Sequence, residues 1–341
     1  MNAKHAKSRR PIGIWDLSVS PMSLGGLLIL FEELKIWSEI YESNAVDICV
    51  VGDIADLLPL YHLPTYKRWI CLTDNSVCKD SVLLSMPLDM AGIETCYLFT
   101  SGAELQDFLH QAPYPYITWP ALTPEGSVTH QYGRTMFIQE YYRKNGHIPF
   151  LSCKIEIVQW ALQFIQNYVV PSIPVVVHLK NNPHQGGGSN ANFDEWLSFF
   201  EACITRYNVK FILIGNEELD NRICKLPNTL VTRDLGSTLA RDLALIQTGF
   251  IFLGMASGPC NIALFSDIPY VIYKNPYHHA EEMVSELGEG YRFPFATSFQ
   301  KVLRIFETRE NLISEFAHLY TPINRQDWER RLANLGKHTP G

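Results

Sequence analysis

Several features that define other classes of protein are missing from this sequence. It has no CxxC pair and no His/Cys cluster, so its cysteines predict reduced core thiols rather than disulfides or a zinc site. These are Cys49, Cys71, Cys78, Cys96, Cys153, Cys203, Cys224 and Cys260. The glycine-rich stretch 183–188 lacks the GxxxxGK[ST] pattern, which excludes an ATP-type P-loop.

Long apolar runs and excess positive charge are also missing. No run of ~18 apolar residues occurs without charge or proline, and residues 1–11 are basic without the apolar core of a secretory signal. We therefore expect a cytoplasmic protein. A net charge of -7 argues against nucleic acid as the main partner. The basic N-terminal residues could contact the inner face of a membrane, although a solvated tail is the alternative. They are Lys4, Lys7, Arg9 and Arg10.

Apolar residues are abundant enough for two cores. The chain has 341 residues, 47% of them hydrophobic and 18% charged, whereas a typical domain has ~150 residues. In the first half, residues 12–17 resemble a strand, 18–26 a loop, 27–41 a helix and 45–51 a second strand. This β-loop-α-β order is the usual start of a parallel sheet.

The α/β pattern restarts after Pro171 and Pro174. Strands are expected at 175–179, 210–214, 229–232, 250–253 and 270–273, and helices at 193–207, 239–247, 280–287, 299–319 and 327–335. We predict an N-terminal acceptor-side domain at 1–150 and a C-terminal donor-binding domain at 171–312. Helices in 313–341 could pack back on the N-terminal domain. The predicted fold class is α/β, with two facing doubly wound (Rossmann-like) domains.

The stretch 249–272 combines a strand, a tight turn, a short helix and a second strand. A strand that enters a helix through Ser257 and Gly258 directs backbone N–H groups at whatever lies beyond the turn. Ser257 could cap the helix and also contact an anion, and Pro259 suits the first helical position. Gly258 would let a phosphate approach the backbone. An ordinary strand-to-helix turn is the alternative.

Two motifs in the second half resemble those of GT-B glycosyltransferases of the heptosyltransferase and fucosyltransferase type. The sequence VHLK at 177–180 is similar to the His-x-Arg strand end of fucosyltransferases. The sequence DLALI at 242–246, followed by Gly254 and SGP at 257–259, resembles the heptosyltransferase donor site. Lys180 stands in the place of Arg, Ala256 in that of Asp, and Asn261 lies near that of His.

The resemblance implies a glycosyltransferase that moves a sugar from a nucleotide-sugar to a glycan or lipid-linked acceptor, in surface polysaccharide or lipopolysaccharide synthesis. It also implies the residues that bind the donor, which are His178, Lys180, Ser257, Gly258, Pro259 and Asn261. A lysine or hydroxyl aimed at the departing diphosphate would stabilise charge that develops in the transition state. His178 could instead be a packed strand residue.

Asp16 is the predicted catalytic base, with Asp53 and His184 as other candidates and a loop-capping role as the alternative for Asp16. No Asp-x-Asp motif occurs, so no metal and no cofactor beyond the donor are expected. The tract His278-His279 with Glu281-Glu282 could form a metal cluster, but we favour contact with sugar or ribose.

Two other functions fit the same architecture. A sugar-nucleotide epimerase or hydrolase is one, although the carboxylate and histidine clusters expected of it are missing. A non-catalytic protein that binds a glycan or nucleotide is the other. Both remain open on the sequence alone.

Overall fold

The computed structural model describes residues 9–19, 23–52, 86–112, 115–124, 126–128, 134–182, 189–287 and 290–335. These residues form two compact units that divide between Leu151 and Ser152. Each unit contains its own parallel sheet with helices. The α/β class with two doubly wound, Rossmann-like units is therefore confirmed.

The first unit has a four-stranded parallel sheet in the order β3-β2-β1-β4. Its elements are β1 (Arg10–Asp16), α1 (Leu24–Ile40), β2 (Val46–Val51), β3 (Ile93–Phe99), α2 (Gly102–Gln111), β4 (Tyr116–Trp119) and α3 (Met136–Asn145). Strands β1 and β2 are buried along almost their whole length, which is usual for a parallel sheet covered by helices. The Ser23 hydroxyl caps α1 by accepting the Gly26 N–H at 3.2 Å.

The second unit has a six-stranded parallel sheet in the order β10-β9-β8-β5-β6-β7. Its strands are β5 (Ile173–His178), β6 (Val209–Ile214), β7 (Thr229–Val231), β8 (Ile251–Met255), β9 (Tyr270–Tyr273) and β10 (Gln300–Leu303). Its helices are α4 (Ile155–Tyr168), α5 (Phe193–Cys203), α6 (Asn221–Cys224), α7 (Leu239–Thr248), α8 (Cys260–Leu264), α9 (Ala280–Leu287), α10 (Arg309–Tyr320) and α11 (Arg325–Leu335).

The C-terminal helices α10 and α11 pack on the second unit. Phe316 of α10 is fully buried, with ring centroids 5.7 Å from Phe199 and 6.0 Å from Phe211. Trp328 of α11 donates its indole N–H to the Thr248 carbonyl at 2.9 Å. These contacts lie within the second unit, whereas the sequence suggested packing of 313–341 on the first.

One predicted helix was partly wrong. Residues 299–303 were expected to be helical, but Gln300–Leu303 forms β10, which pairs in parallel with β9. Val302 and Leu303 are buried on this strand. The helix begins only at Arg309, where Thr308 and Asn311 form a reciprocal capping box.

No described helix has both the length and the apolar character that crossing a membrane requires. Of the basic N-terminal residues, Arg10 lies in β1 and forms ion pairs with Asp47 at 2.5 Å and Glu94 at 2.7 Å. Lys4 and Lys7 lie outside the described residues.

Candidate functional site

The strand order of the second sheet reverses between β5 and β8, which are paired in parallel. Successive strands run outward from β5 in one direction and from β8 in the other. In open parallel sheets, ligands bind at the carboxyl ends of the strands beside such a switch point. His178 ends β5 and is paired with Gly254 near the end of β8. A Cβ on Gly254 would come 2.8 Å from the His178 carbonyl oxygen, so only glycine fits between these strands.

Ser257, His178 and Glu217 form a chain of hydrogen bonds at this switch point. The Ser257 Oγ is 2.8 Å from His178 Nδ1, and His178 Nε2 is 3.1 Å from Glu217 Oε1. A carboxylate only accepts, so Nε2 carries the ring proton and Nδ1 accepts the Ser257 hydroxyl hydrogen. His178 is 1% exposed and is bonded at both nitrogens. It therefore holds Ser257 and Glu217 in place and presents no free ring nitrogen to a ligand.

Ser257 does not cap α8 as the sequence suggested. Pro259 directly precedes the helix, with backbone angles of φ -58 and ψ -27, and no side chain caps this end. Burial raises the pKa of Cys260 to about 11, so its thiol remains protonated at neutral pH and donates to the Met255 carbonyl at 2.9 Å. Because α8 has only five residues, its dipole is small, and positive charge at this edge must come from side chains.

Lys180 and Lys274 supply that charge. Lys180 follows β5, and Lys274 comes directly after β9. Burial lowers the pKa of both lysines, and the charge of Lys180 lowers that of Lys274 further, which places the two ammonium groups near each other. Among the described residues, neither lysine forms an ion pair. Burial outweighs the effect of nearby carboxylates, of which Glu217 raises the pKa of Lys180 and Glu286 and Glu282 raise that of Lys274. Two half-buried cations with no ion-pair partner among the described residues favour the binding of an anion.

His278 extends this cationic group. Its Nδ1 lies 3.3 Å from the Lys274 Nζ, which donates to it. Burial and, next, the Lys274 charge lower the pKa of His278 to about 4, so the ring is neutral at pH 7. A neutral ring that accepts at Nδ1 carries its proton on Nε2. His278 can therefore donate one hydrogen bond to a ligand.

Asp242 is a buried residue that holds the backbone near the site in place. Its carboxylate is buried and accepts the Gly215 N–H at 2.9 Å, the Thr232 hydroxyl at 2.9 Å and the Ser237 hydroxyl at 2.6 Å. Burial raises its pKa in spite of these hydrogen bonds. Gly215 has φ +99, and a Cβ there would lie 2.3 Å from Glu217 Oε2 and 3.1 Å from His178 Nε2. Asp242 thus positions the glycine against which Glu217 and His178 pack.

We expect Asp242→Asn to lower the free energy of unfolding by about 1–3 kcal/mol, because the amide nitrogen cannot accept and leaves a buried donor unpaired. Urea unfolding at pH 7 measures this change. Asp234→Asn, an exposed position between β7 and α7, is the control for loss of charge. Equal stability of both variants and the wild type would contradict the supporting role of Asp242.

Asp16 lies at the carboxyl end of β1 in the first unit and is 7% exposed. Its Oδ1 accepts both the N–H and the hydroxyl of Ser18, at 2.9 Å and 2.6 Å. The carboxylate therefore shapes the loop after β1, as the loop-capping alternative expected. A catalytic role for Asp16 stays a prediction.

The remaining predicted residues divide into two groups. Gly258, Pro259 and Asn261 lie in the β8-to-α8 turn beside Ser257, where Gly258 accepts the Asn261 N–H at 3.2 Å. Asp53 and His184 lie outside the described residues. Sequence reasoning missed Glu217 and Lys274. Their positions just after β6 and β9 were the available signal, since strand ends of a parallel sheet meet at one edge.

The described residues contain no group of three or more His, Cys, Asp and Glu side chains that could hold a metal ion. The tract at 278–282 has His279 Nδ1 3.9 Å from Glu282 Oε1, while His278 faces Lys274. A cation beside His278 repels a metal ion and attracts an anion.

The arrangement of two parallel sheets, each with a switch point, is that of the GT-B glycosyltransferase fold. No protein-family model matches the sequence, and no curated protein matches it either. The fold is similar to that of the glycosyl transferase family 9 protein from Veillonella parvula DSM 2008, with TM-score 0.51 and 9% sequence identity over 96% of this chain and 97% of that chain.

Two Escherichia coli structures are also similar. Heptosyltransferase WaaC with ADP has TM-score 0.48 and 11% identity, over 91% of this chain and 99% of that chain. ADP-heptose lps heptosyltransferase II has TM-score 0.47 and 12% identity, over 96% of this chain and 98% of that chain.

Proposed function

We propose that this protein is a glycosyltransferase that takes a sugar from a nucleoside-diphosphate donor. The observation that carries the proposal is the pair of half-buried cations, Lys180 and Lys274, at the switch point beside the Ser257 turn. Two phosphates are bound well by positive charges that are shielded from bulk water, because charge-assisted hydrogen bonds are stronger in such a site than in water. The GT-B fold makes transfer from a nucleotide-sugar the reaction that fits this site.

The position of Glu217 suggests how the nucleotide-sugar is oriented over the sheet. In doubly wound sheets, an acidic side chain at the end of the strand next to the phosphate loop binds the ribose hydroxyls. Glu217 has this position after β6, adjacent to β5. We therefore propose that the nucleoside lies over β5 and β6 and that the diphosphate lies between Lys180 and Lys274.

Departure of the nucleoside diphosphate concentrates negative charge on the leaving oxygen. Lys180, Lys274 and the Nε2–H of His278 can bind that oxygen more strongly as its charge grows, which lowers the barrier. Asp16 is proposed as the base that accepts the proton of the acceptor hydroxyl. No metal is required in this scheme.

We further propose that the acceptor is a glycan or lipid-linked saccharide of surface polysaccharide or lipopolysaccharide synthesis. The protein would then work in the cytoplasm, at or near the inner membrane face. Lys4, Lys7 and Arg9 would supply the contact with that face, since Arg10 is paired with Asp47 and Glu94.

The direct test is a melting-temperature screen with ADP, UDP, GDP, CMP and dTDP, each with and without EDTA. One diphosphate at 100 times its Kd should stabilise the protein by about 2.7 kcal/mol. The same shift is expected in EDTA, because lysines rather than a metal bind the phosphates. A shift that vanishes in EDTA and returns with Mg²⁺ or Mn²⁺ would contradict the metal-free site.

The matching nucleotide-sugars then separate the three functions. Slow release of the nucleoside diphosphate, accelerated by a saccharide acceptor, supports the transferase. Conversion of the donor sugar to an epimer would instead indicate the epimerase. Binding without any turnover would indicate the non-catalytic binding protein.

A further inference from the structure

A cavity of about 350 Å³ opens at the carboxyl edge of the second sheet, on the side of β9 and β10. Its lining residues are Asn190, Ala191, Asn192, Met255, Asn275, Phe306 and Glu307. Two lining segments lie beside the two lysines of the cationic group, and a third lies beside the Ser257 turn. Asn190 follows Ser189, whose hydroxyl accepts from Lys180 at 3.3 Å, and Asn275 follows Lys274. Met255 lies two residues before Ser257. The cavity therefore adjoins the proposed diphosphate position on the side away from Glu217.

The wall of the cavity is rich in amides and has one aromatic ring. Asn190 is fixed by two hydrogen bonds with Asn182, at 2.9 Å and 3.0 Å. Asn192 directly precedes α5, its side chain does not cap the helix, and the residue is exposed. Amides both donate and accept hydrogen bonds, as sugar hydroxyls do.

Phe306 supplies the apolar part of the wall. The ring is 51% exposed and lies 6.1 Å from that of Tyr277, centroid to centroid. An exposed ring beside amides suits a ligand that has an apolar C–H face and a polar rim. Glu307 is buried and accepts the Asn192 N–H at 2.6 Å, which joins the loop after β10 to the start of α5. No lysine or arginine is among the described residues that line the cavity, and this lining does not favour an anionic group.

We propose that this cavity is a saccharide subsite for a neutral sugar ring, held by the Asn192 amide and by the face of Phe306. This inference rests on the proposed function, because the sugar of a donor bound with its ribose at Glu217 would extend to this side. The sugar of the donor and a sugar of the acceptor share this chemistry, and the experiment distinguishes them.

The test compares Phe306→Ala and Asn192→Ala with the wild type. Calorimetry measures Kd for UDP, GDP and ADP and for UDP-glucose, GDP-mannose and ADP-glucose. Saturation-transfer NMR measures binding of methyl glucoside and methyl mannoside, alone and with saturating nucleoside diphosphate. We expect each variant to bind the preferred nucleotide-sugar about tenfold more weakly, with Kd for the parent diphosphate unchanged. Phe299→Ala, an exposed aromatic at the opposite edge of the sheet, is the matched control.

Each outcome decides the proposal. An effect on the nucleotide-sugar assigns the subsite to the donor, whereas an effect on the free glycosides alone assigns it to the acceptor. If both variants bind every sugar as the wild type does, or if the wild type binds none, the subsite is overturned even when the diphosphate binds. If no diphosphate binds, the proposed function fails, and glycoside binding that Phe306→Ala removes still supports the subsite.

Discussion

The double variant Lys180→Ala, Lys274→Ala is expected to bind the preferred nucleoside diphosphate about 100-fold more weakly than the wild type, and each single variant about tenfold more weakly. Hydrogen bonds to charged groups contribute about 1.5–3 kcal/mol each, and we take the lower value for each lysine with additive effects in the double variant. Calorimetric Kd values on the four proteins measure both effects.

The fold should survive these substitutions. Among the described residues neither lysine forms an ion pair, and burial lowers the pKa of both, so their removal relieves a desolvated charge. We therefore expect an unchanged or higher melting temperature. Lys210→Ala is the matched control, because Lys210 lies at the start of β6 and donates to the Pro227 carbonyl at 2.7 Å. A double variant with the Kd of the wild type would remove both lysines from the donor site.

Glu33→Gln should make the protein more stable at pH 8 and reduce the dependence of its stability on pH. Burial raises the pKa of Glu33 to about 7, against the opposing effect of the Trp119 indole N–H, which donates to it at 2.8 Å. The folded pKa lies above the ordinary value of 4.5, so the contribution of Glu33 to stability is fully present below pH 4.5 and is lost as the pH rises through about 7. The full effect is about 3 kcal/mol.

Urea unfolding between pH 4.5 and 8.5 measures this effect. Glu32 is also buried, and burial raises its pKa, so its ionisation should likewise lower the stability as the pH rises. Glu32→Gln should remove this second loss of stability and leave the loss caused by Glu33 unchanged. Glu140→Gln, on the exposed face of α3, controls for the loss of a charge. A Glu33→Gln variant with the pH profile of the wild type would show that Glu33 is not desolvated in the folded protein.

Much of the second unit could be predicted from local pattern. Strand β8, the Ser257 turn, α8 and β9 follow one another within 249–272, because short apolar runs, a Ser-Gly-Pro break and a helical turn each leave a clear signal. Strand β10 left none. Its four residues, two polar and then two apolar, suit a helix or a strand, and only pairing with β9 decides between them.

The candidate site was predictable in position but not in its contacts. The sequence places His178, Lys180 and Ser257 at one sheet edge, because His178 lies near the end of a predicted strand and Lys180 and Ser257 lie shortly after predicted strands. The roles differ from what sequence alone suggested: His178 is buried between Ser257 and Glu217, and the second cation is Lys274. These facts depend on pairings between strands that lie far apart in sequence, which no local pattern encodes.

The pairing of β5 with β8 also bears on how the chain acquires its structure. The Ser257 hydroxyl contacts His178 across 79 positions of sequence. Strands β6 and β7, which precede β8 in the chain, lie on the other side of β5, so β5 gains its second neighbour only when β8 pairs with it. Non-local parallel pairing of this kind makes folding slow. A nascent chain that ends before residue 251 would expose one edge of β5, an apolar strand, to other chains. A chain that ends after β8 covers that edge of β5 but leaves β8 itself unpaired until β9 is added. We therefore expect expressed fragments to aggregate until β9 and β10 are included.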